Sequence, residues 1–254
     1  MGKKSNKNSK KAKRLFFTLI ALIVFTASAG QIDLAQVDWD DPASIVAIFS
    51  TNEKNQLENY DKLSSLPAYS DDSVVSLNEN QPFFSEEDLS LTKKNWQSFS
   101  NLDQFNRVGA ANAMLHKDMM PQKKREDISQ VYPTGWKQKK IKEDVWLYNR
   151  SHLIGHQFTG EDVNWKNLFT GTQQMNQGPM KEYEEKIAAY LKETGHHVRY
   201  RVTPYFKDNE LVARGVELEA QSIEDDRIQL NIFIYNVQNG YQINYLDGSS
   251  KKSS

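Results

Sequence analysis

The chain has 254 residues, 38% hydrophobic and 11% aromatic, which allows one large domain with a real core plus a leader and a tail. It has no cysteine, which excludes disulfides, thiolate nucleophiles and cysteine-based zinc sites together. The formal charge of −1 hides an asymmetry: seven of the 32 Lys and Arg but none of the 33 Asp and Glu lie in the first 29 residues, so the remainder carries 25 against 33, near −8, and any basic footprint for a polyanion must be local.

The leader comes first. Its basic residues (Lys3 to Arg14) precede an apolar run from Leu15 to Phe25 and then Ala27-Ser28-Ala29. That order describes a secretory signal peptide; the alternative is an uncleaved N-terminal membrane anchor, although the run is short of the ~20 residues a span needs. Either way the bulk of the protein is expected outside the cytoplasm, secreted or held at the cell surface. Residues 30–65 read as a polar, acidic spacer with one short apolar piece at Ile45–Phe49, and residues 66–248 as the folded domain, followed by a polar tail over 249–254.

Within the domain, Val74–Leu77 is strand-like and Ser85-Glu86-Glu87-Asp88 looks like a helix start. Leu102–Leu115 is a weaker helix candidate. Lys117–Arg150 holds nine basic residues against five acidic ones, the one local basic excess. Trp146–Asn149 reads as a strand. Pro179–Thr194 reads as a helix: Pro179 suits the first position, glutamates follow early, and Gly195 ends it. Met180, Tyr183, Ile187, Tyr190 and Leu191 share one of its faces. Beyond it, His197–Phe206, Leu211–Ile223, Ile228–Val237 and Tyr241–Leu246 are β-rich runs separated by turn residues. There are no internal repeats.

The segment that carries chemistry is Asn149-Arg150-Ser151-His152, followed by Asn167, Asn176 and Glu184. A strand that offers a His, a loop, and a helix entry that offers an Asn can close on one metal ion. This order and spacing resembles the DNA/RNA nonspecific endonucleases of the ββα-metal (His-Me finger) group, and is similar above all to streptococcal secreted DNases and the DNA-entry nuclease. The likeness runs from about Leu66 to Gly248 and includes Pro133-Thr134-Gly135-Trp136 and the Arg199–Tyr205 strand.

The resemblance implies an α+β fold, with an antiparallel β-sheet core, helices and a ββα-metal catalytic motif. It implies hydrolysis of DNA, and of RNA as a further substrate, through contacts to the phosphate backbone. By position, His152 would be the general base and Asn176 the one side chain on the metal, Mg²⁺ with Mn²⁺ as the alternative. Glu184 would hold a water of the metal's hydration shell, Asn167 would orient the site, and Arg150 would neutralise phosphate charge. Lys124 or Arg125 would supply an upstream cation, and Lys186 a further substrate contact.

Two motif positions depart from the family's usual Asp-Arg-Gly-His: Asn149 replaces the Asp and Ser151 replaces the Gly. Ala188 stands where relatives often carry an Arg, with Lys186 the residue that could compensate. Other readings sit beside this one. His152 and His156 share a zinc-like spacing, but Gly155 between them disfavours the helix such a site needs. His156 otherwise reads as a packed or surface residue, His196 and His197 as helix-end residues, and Trp136 and Trp146 as core. A non-catalytic surface protein that captures nucleic acid, or an effector using the fold for receptor binding, are the alternatives from other classes, the former kept open by Asn149.

Overall fold

The computed structural model describes residues 62–253. The expected leader and most of the spacer, residues 1–61, lie outside the described residues. Among those described, no helix is long and apolar enough to cross a membrane.

Twelve strands are described. Six form an antiparallel sheet: β1 (Val74–Ser76), β2 (Trp96–Phe99), β3 (Ala111–Leu115), β8 (Val198–Tyr205), β9 (Gly215–Ser222) and β10 (Gln229–Tyr235), in the order β1-β10-β9-β8-β3-β2. The others pair as ribbons: β4 (Lys140–Lys142) with β5 (Val145–Trp146), β6 (Tyr148–His152) with β7 (Leu168–Thr172), and β11 (Tyr241–Ile243) with β12 (Ser250–Lys252). Residues 62–65 are helical, and the α-helices within the domain are α1 (His156–Thr159), α2 (Gln173–Met175) and α3 (Lys181–Thr194).

The period-2 pattern of β8 to β10 explains how the sheet packs. Val198, Tyr200, Val202, Val216, Leu218, Ala220, Ile232 and Ile234 all join one core, together with Ile187, Ala188, Tyr190 and Leu191 of α3. The alternate residues face the other way. There, Arg199 meets Asp88 at 3.0 Å and Arg201 pairs with Glu219 at 2.6 Å, beside the Phe84 ring. Burying ionised groups is costly unless they are paired, and these are.

One expectation fails. Residues 102–115 do not form a helix; the segment turns through Asp103–Arg107 and then becomes β3. Ala111, Ala113 and Leu115 point into the core from β3, between β8 and β2, so sheet pairing overrides a helix-compatible composition. Ser85–Asp88 does make the reciprocal bonds of a helix cap, Asp88 N–H to Ser85 Oγ and Ser85 N–H to Asp88 Oδ2, but the chain stops after one turn. The helix after Pro179 forms as expected. Gly195 ends it at φ +67°, where its N–H reaches Leu191 O at 3.0 Å.

Candidate active site

β6 and β7 pair in a continuous register from Tyr148 opposite Thr172 to His152 opposite Leu168. The chain then enters α2, capped by Thr172 Oγ1 accepting from Met175 N–H at 3.2 Å. A broken turn over Asn176–Met180 follows, with Gly178 outside helical geometry, and α3 begins. This is a β-β-α unit. It brings His152, at the end of β6, and Asn176, at the break, to the same cleft of about 680 Å³. Arg125, Asn149, Arg150, His156, Gln157 and Glu184 line it as well.

His152 is buried, 6% exposed. Its Nδ1 lies 3.2 Å from Arg125 Nη2 and its Nε2 lies 3.1 Å from the Asp162 carbonyl oxygen. A guanidinium can only donate, so Nδ1 is the acceptor and Nε2–H donates to Asp162 O. Burial, then the Arg125 charge, push the imidazole pKa down to about 4. The ring is thus neutral at pH 7, with its lone pair on Nδ1.

Asp162 organises this corner. Its buried carboxylate accepts from Glu126 N–H at 2.8 Å, sits 2.7 Å from His156 Nδ1, and reaches Arg125 Nε at 3.5 Å. Neither Asp162 nor this place for His156 was anticipated. Asp162 has no local sequence signal; only folding brings the 160s loop back over β6.

Glu184 projects from the first turn of α3 into the cleft. Its one hydrogen bond is a long one from Gln157 Nε2, at 3.4 Å, and among the described residues it has no ion pair. Burial pushes its carboxyl up to about 8. A Cβ on Gly155 would lie 2.9 Å from Glu184 Oε1 and 3.0 Å from Oε2, so the glycine makes the room the carboxylate occupies.

The remaining expected residues divide. Asn167 is fully buried outside the cleft. Its Oδ1 accepts from Leu153 and Ile154 N–H at 3.1 and 2.8 Å and its Nδ2 donates to Ile154 O, so it fixes the backbone beyond His152 without touching the cleft. Arg150 lines the cleft, stacked 4.4 Å over the Trp136 ring, and donates to Ser129 O at 2.6 Å and to Val131 O. It therefore ties the 128–136 loop to β6. Of the two upstream candidates, Arg125 reaches His152, whereas Lys124 is exposed and outside the cleft lining. Lys186 also lies outside it, bonded to Glu182 at 2.6 Å. Ala188 is packed in the core, so Lys186, on another side of α3, cannot stand in for a residue there. Trp146, expected in the core, is 46% exposed and lines the cleft. His197 and His196 pair with Glu224 and Asp225, as helix-end residues.

Both motif departures have local accommodations. Asn149 Nδ2 donates to Gln173 Oε1 at 2.6 Å. Ser151 lies in regular β6 backbone, and a Cβ on Gly171 would lie 2.1 Å from Ser151 Oγ. The glycine missing at 151 is balanced by one across the ribbon.

An antiparallel sheet carrying a β-β-α unit, with a neutral histidine and an arginine in its cleft, defines a nuclease of the ββα-metal class. The model of the DNA/RNA non-specific endonuclease family matches residues 89–224, more than half of the chain, and the chain belongs to that family. Its fold is similar to NucA from Streptococcus agalactiae with magnesium bound, at TM-score 0.67 and 24% identity over 78% of this chain and 96% of that one. The same nuclease with no metal bound gives 0.65 and 25%, over 81% and 96%. The Sda1 nuclease with bound zinc gives 0.56 and 26%, over 62% and 81%.

Proposed function

We propose that this chain is a metal-dependent, sugar-nonspecific endonuclease that hydrolyses phosphodiester bonds outside the cytoplasm, with His152 as general base. The observation that carries this reading is the tautomer of His152: a buried neutral imidazole, held through Nε2–H, whose Nδ1 lone pair meets only the half-exposed end of an arginine.

The donor set suits a hard cation. Among the described residues, no three His, Asp or Glu side chains converge on a metal-sized space. The cleft instead offers the Asn176 side-chain amide, which has no hydrogen-bond partner among the described residues, and the Glu184 carboxyl, which has no ion pair among them. Oxygen donors few enough to leave places for water and phosphate match Mg²⁺, with Mn²⁺ next, rather than a closed zinc site. Asn176 would hold the ion and Glu184 would order its hydration. When bound, the ion supplies Lewis-acid stabilisation for the charge that grows on the phosphate and on the departing 3′ oxygen.

The chain's own groups do the rest. Arg125, half exposed at the cleft rim, exchanges its bond to Nδ1 for an incoming phosphate oxygen. That frees Nδ1 to take a proton from water, whose oxygen attacks phosphorus in line. The P–O3′ bond breaks, leaving a 5′ phosphate and a 3′ hydroxyl that collects its proton from solvent. Arg150 adds positive charge, and Asn167 keeps the backbone after His152 in place.

The test is incubation of the full-length protein with supercoiled plasmid and with single-stranded RNA, in Mg²⁺ and in EDTA, beside His152→Ala. Cleavage that needs metal and is lost in the variant supports the reading. A folded protein that shifts DNA and never cuts it sinks the reading and favours nucleic-acid capture.

A further inference from the structure

A second cavity, of about 400 Å³, opens beside the cleft. Its walls are aromatic and aliphatic: Tyr132, Trp165, Phe105 and Phe169 all line it, and no charged side chain does. Two of these are unusually open for their size, Tyr132 at 59% and Trp165 at 52% exposure. Large exposed aromatics around an apolar hollow are a standing cost in water unless something is to be stacked there.

The same two loops build both hollows. The loop after α1 gives Asp162 O to His152 and, three residues on, Trp165 to the second cavity. The loop before β4 gives Ile128 and Trp136 to the cleft and Tyr132 to the cavity. Arg150 joins them, since its guanidinium lies 5.2 Å from the Tyr132 ring while it also lines the cleft. Thr170 Oγ1 pins the Tyr132 loop from β7, donating to Thr134 O at 2.8 Å. A strand whose phosphate rested at Arg150 would therefore bring a neighbouring nucleotide close to Tyr132, which lines the cavity.

We propose that this cavity takes one unpaired nucleobase of the strand held in the cleft, stacked against Trp165 and Tyr132. The proposal rests on the nuclease reading and adds to it a preference for unpaired over duplex substrate. Phosphate is the wrong occupant for a hollow without a cation, because its desolvation would go uncompensated. A base has apolar faces, and every base has them, so stacking leaves the enzyme indifferent to sequence. The base must be unpaired, because in a duplex its faces are covered by neighbours.

Anisotropy of a labelled single-stranded oligonucleotide tests this, with full-length wild-type protein in EDTA and, as a second binding arm, His152→Ala. Removing one base at a fixed distance from the gripped phosphate is expected to weaken binding about fivefold or more. Trp165→Ala should weaken the intact oligonucleotide by the same factor and leave the abasic one unchanged, and Trp165→Phe should restore the difference. Equal binding of intact and abasic strands, or equal weakening of both by Trp165→Ala, overturns the proposal. So does a sedimentation coefficient that rises with concentration in wild type but not in Trp165→Ala, which would give the cavity to a second copy. Plasmid cleavage in Mg²⁺, run in parallel, separates the two readings. Cleavage without base dependence sinks the pocket alone, and absence of cleavage sinks the nuclease.

Discussion

The Arg125 guanidinium sits 3.2 Å from His152 Nδ1, though the two are 27 residues apart in sequence. Asp162 holds both partners: its carboxylate reaches Arg125 and its carbonyl oxygen accepts a hydrogen bond from His152 Nε2–H. Burial first, and then the guanidinium charge, hold the imidazole unprotonated. A positive charge beside a base ordinarily weakens it; in the proposed mechanism the incoming phosphate takes up that charge.

That arrangement sets the pH dependence. With its pKa near 4, His152 is deprotonated through the acid range where a free histidine would not be. The acid limb of kcat/KM is expected below pH 5. Arg125→Ala should lower kcat/KM by roughly 10²-fold and move that limb part of the way towards 6.5, burial being the larger cause. Because the folded-state pKa lies below the unfolded one, the unfolded chain binds the proton first. Stability from this group is thus complete above about pH 6.5 and is lost as pH falls towards 4. Melting temperatures from pH 7 to 4 should fall less steeply in His152→Ala. An acid limb near 6.5 in the wild type would contradict this account.

Gly155 tests the role of Glu184. Its backbone, at φ −59°, accepts any residue, so Gly155→Ala acts only through the added methyl pressing on the carboxylate. The metal concentration for half-maximal cleavage is expected to rise about 10-fold or more, with little change in melting temperature. An unchanged metal requirement would remove Glu184 from the metal's surroundings.

Ser151 and Gly171 should be coupled. Ser151 Oγ is buried without a hydrogen-bond partner, so Ser151→Ala should stabilise by about 1 kcal/mol. Gly171→Ala should cost about 1–3 kcal/mol by overpacking, and most of that should return in the Ser151→Gly/Gly171→Ala double variant. Urea midpoints of wild type, Ser151→Gly, Gly171→Ala and their double variant measure the coupling; additive effects would mean the ribbon relaxes instead.

Asn149→Asp restores the charge usual at that motif position. Gln173 can turn its amide to donate to the new carboxylate, so the fold should hold. The expected result is a several-fold gain in metal affinity, read from activity against Mg²⁺ concentration. A variant that melts much earlier would show that the Asn149–Gln173 bond is structural.

Much of the domain was legible because its signals are local. Alternation at period 2 marks β8 to β10, and Pro179 and Gly195 bracket α3 whatever the rest of the chain does. The same locality misled at 102–115, where a strand is made by what lies on either side of it rather than by its own composition. The motif pointed to a cleft shared by His152 and Asn176, because both lie within one β-β-α unit.

The sequence by itself determined the core strands and the last helix, which follow from residue order and short-range periodicity, and its resemblance to the non-specific endonucleases pointed to the reaction class. Only the tertiary structure decided that Arg125 rather than Lys124 meets the histidine, that Asp162 holds them both, that Asn167 serves the backbone, and that Trp146 and Trp165 face solvent. Those choices depend on loops that return from distant parts of the chain, fixed by single buried hydrogen bonds and by the need to pair a buried carboxylate, and no local pattern encodes where such a loop comes to rest.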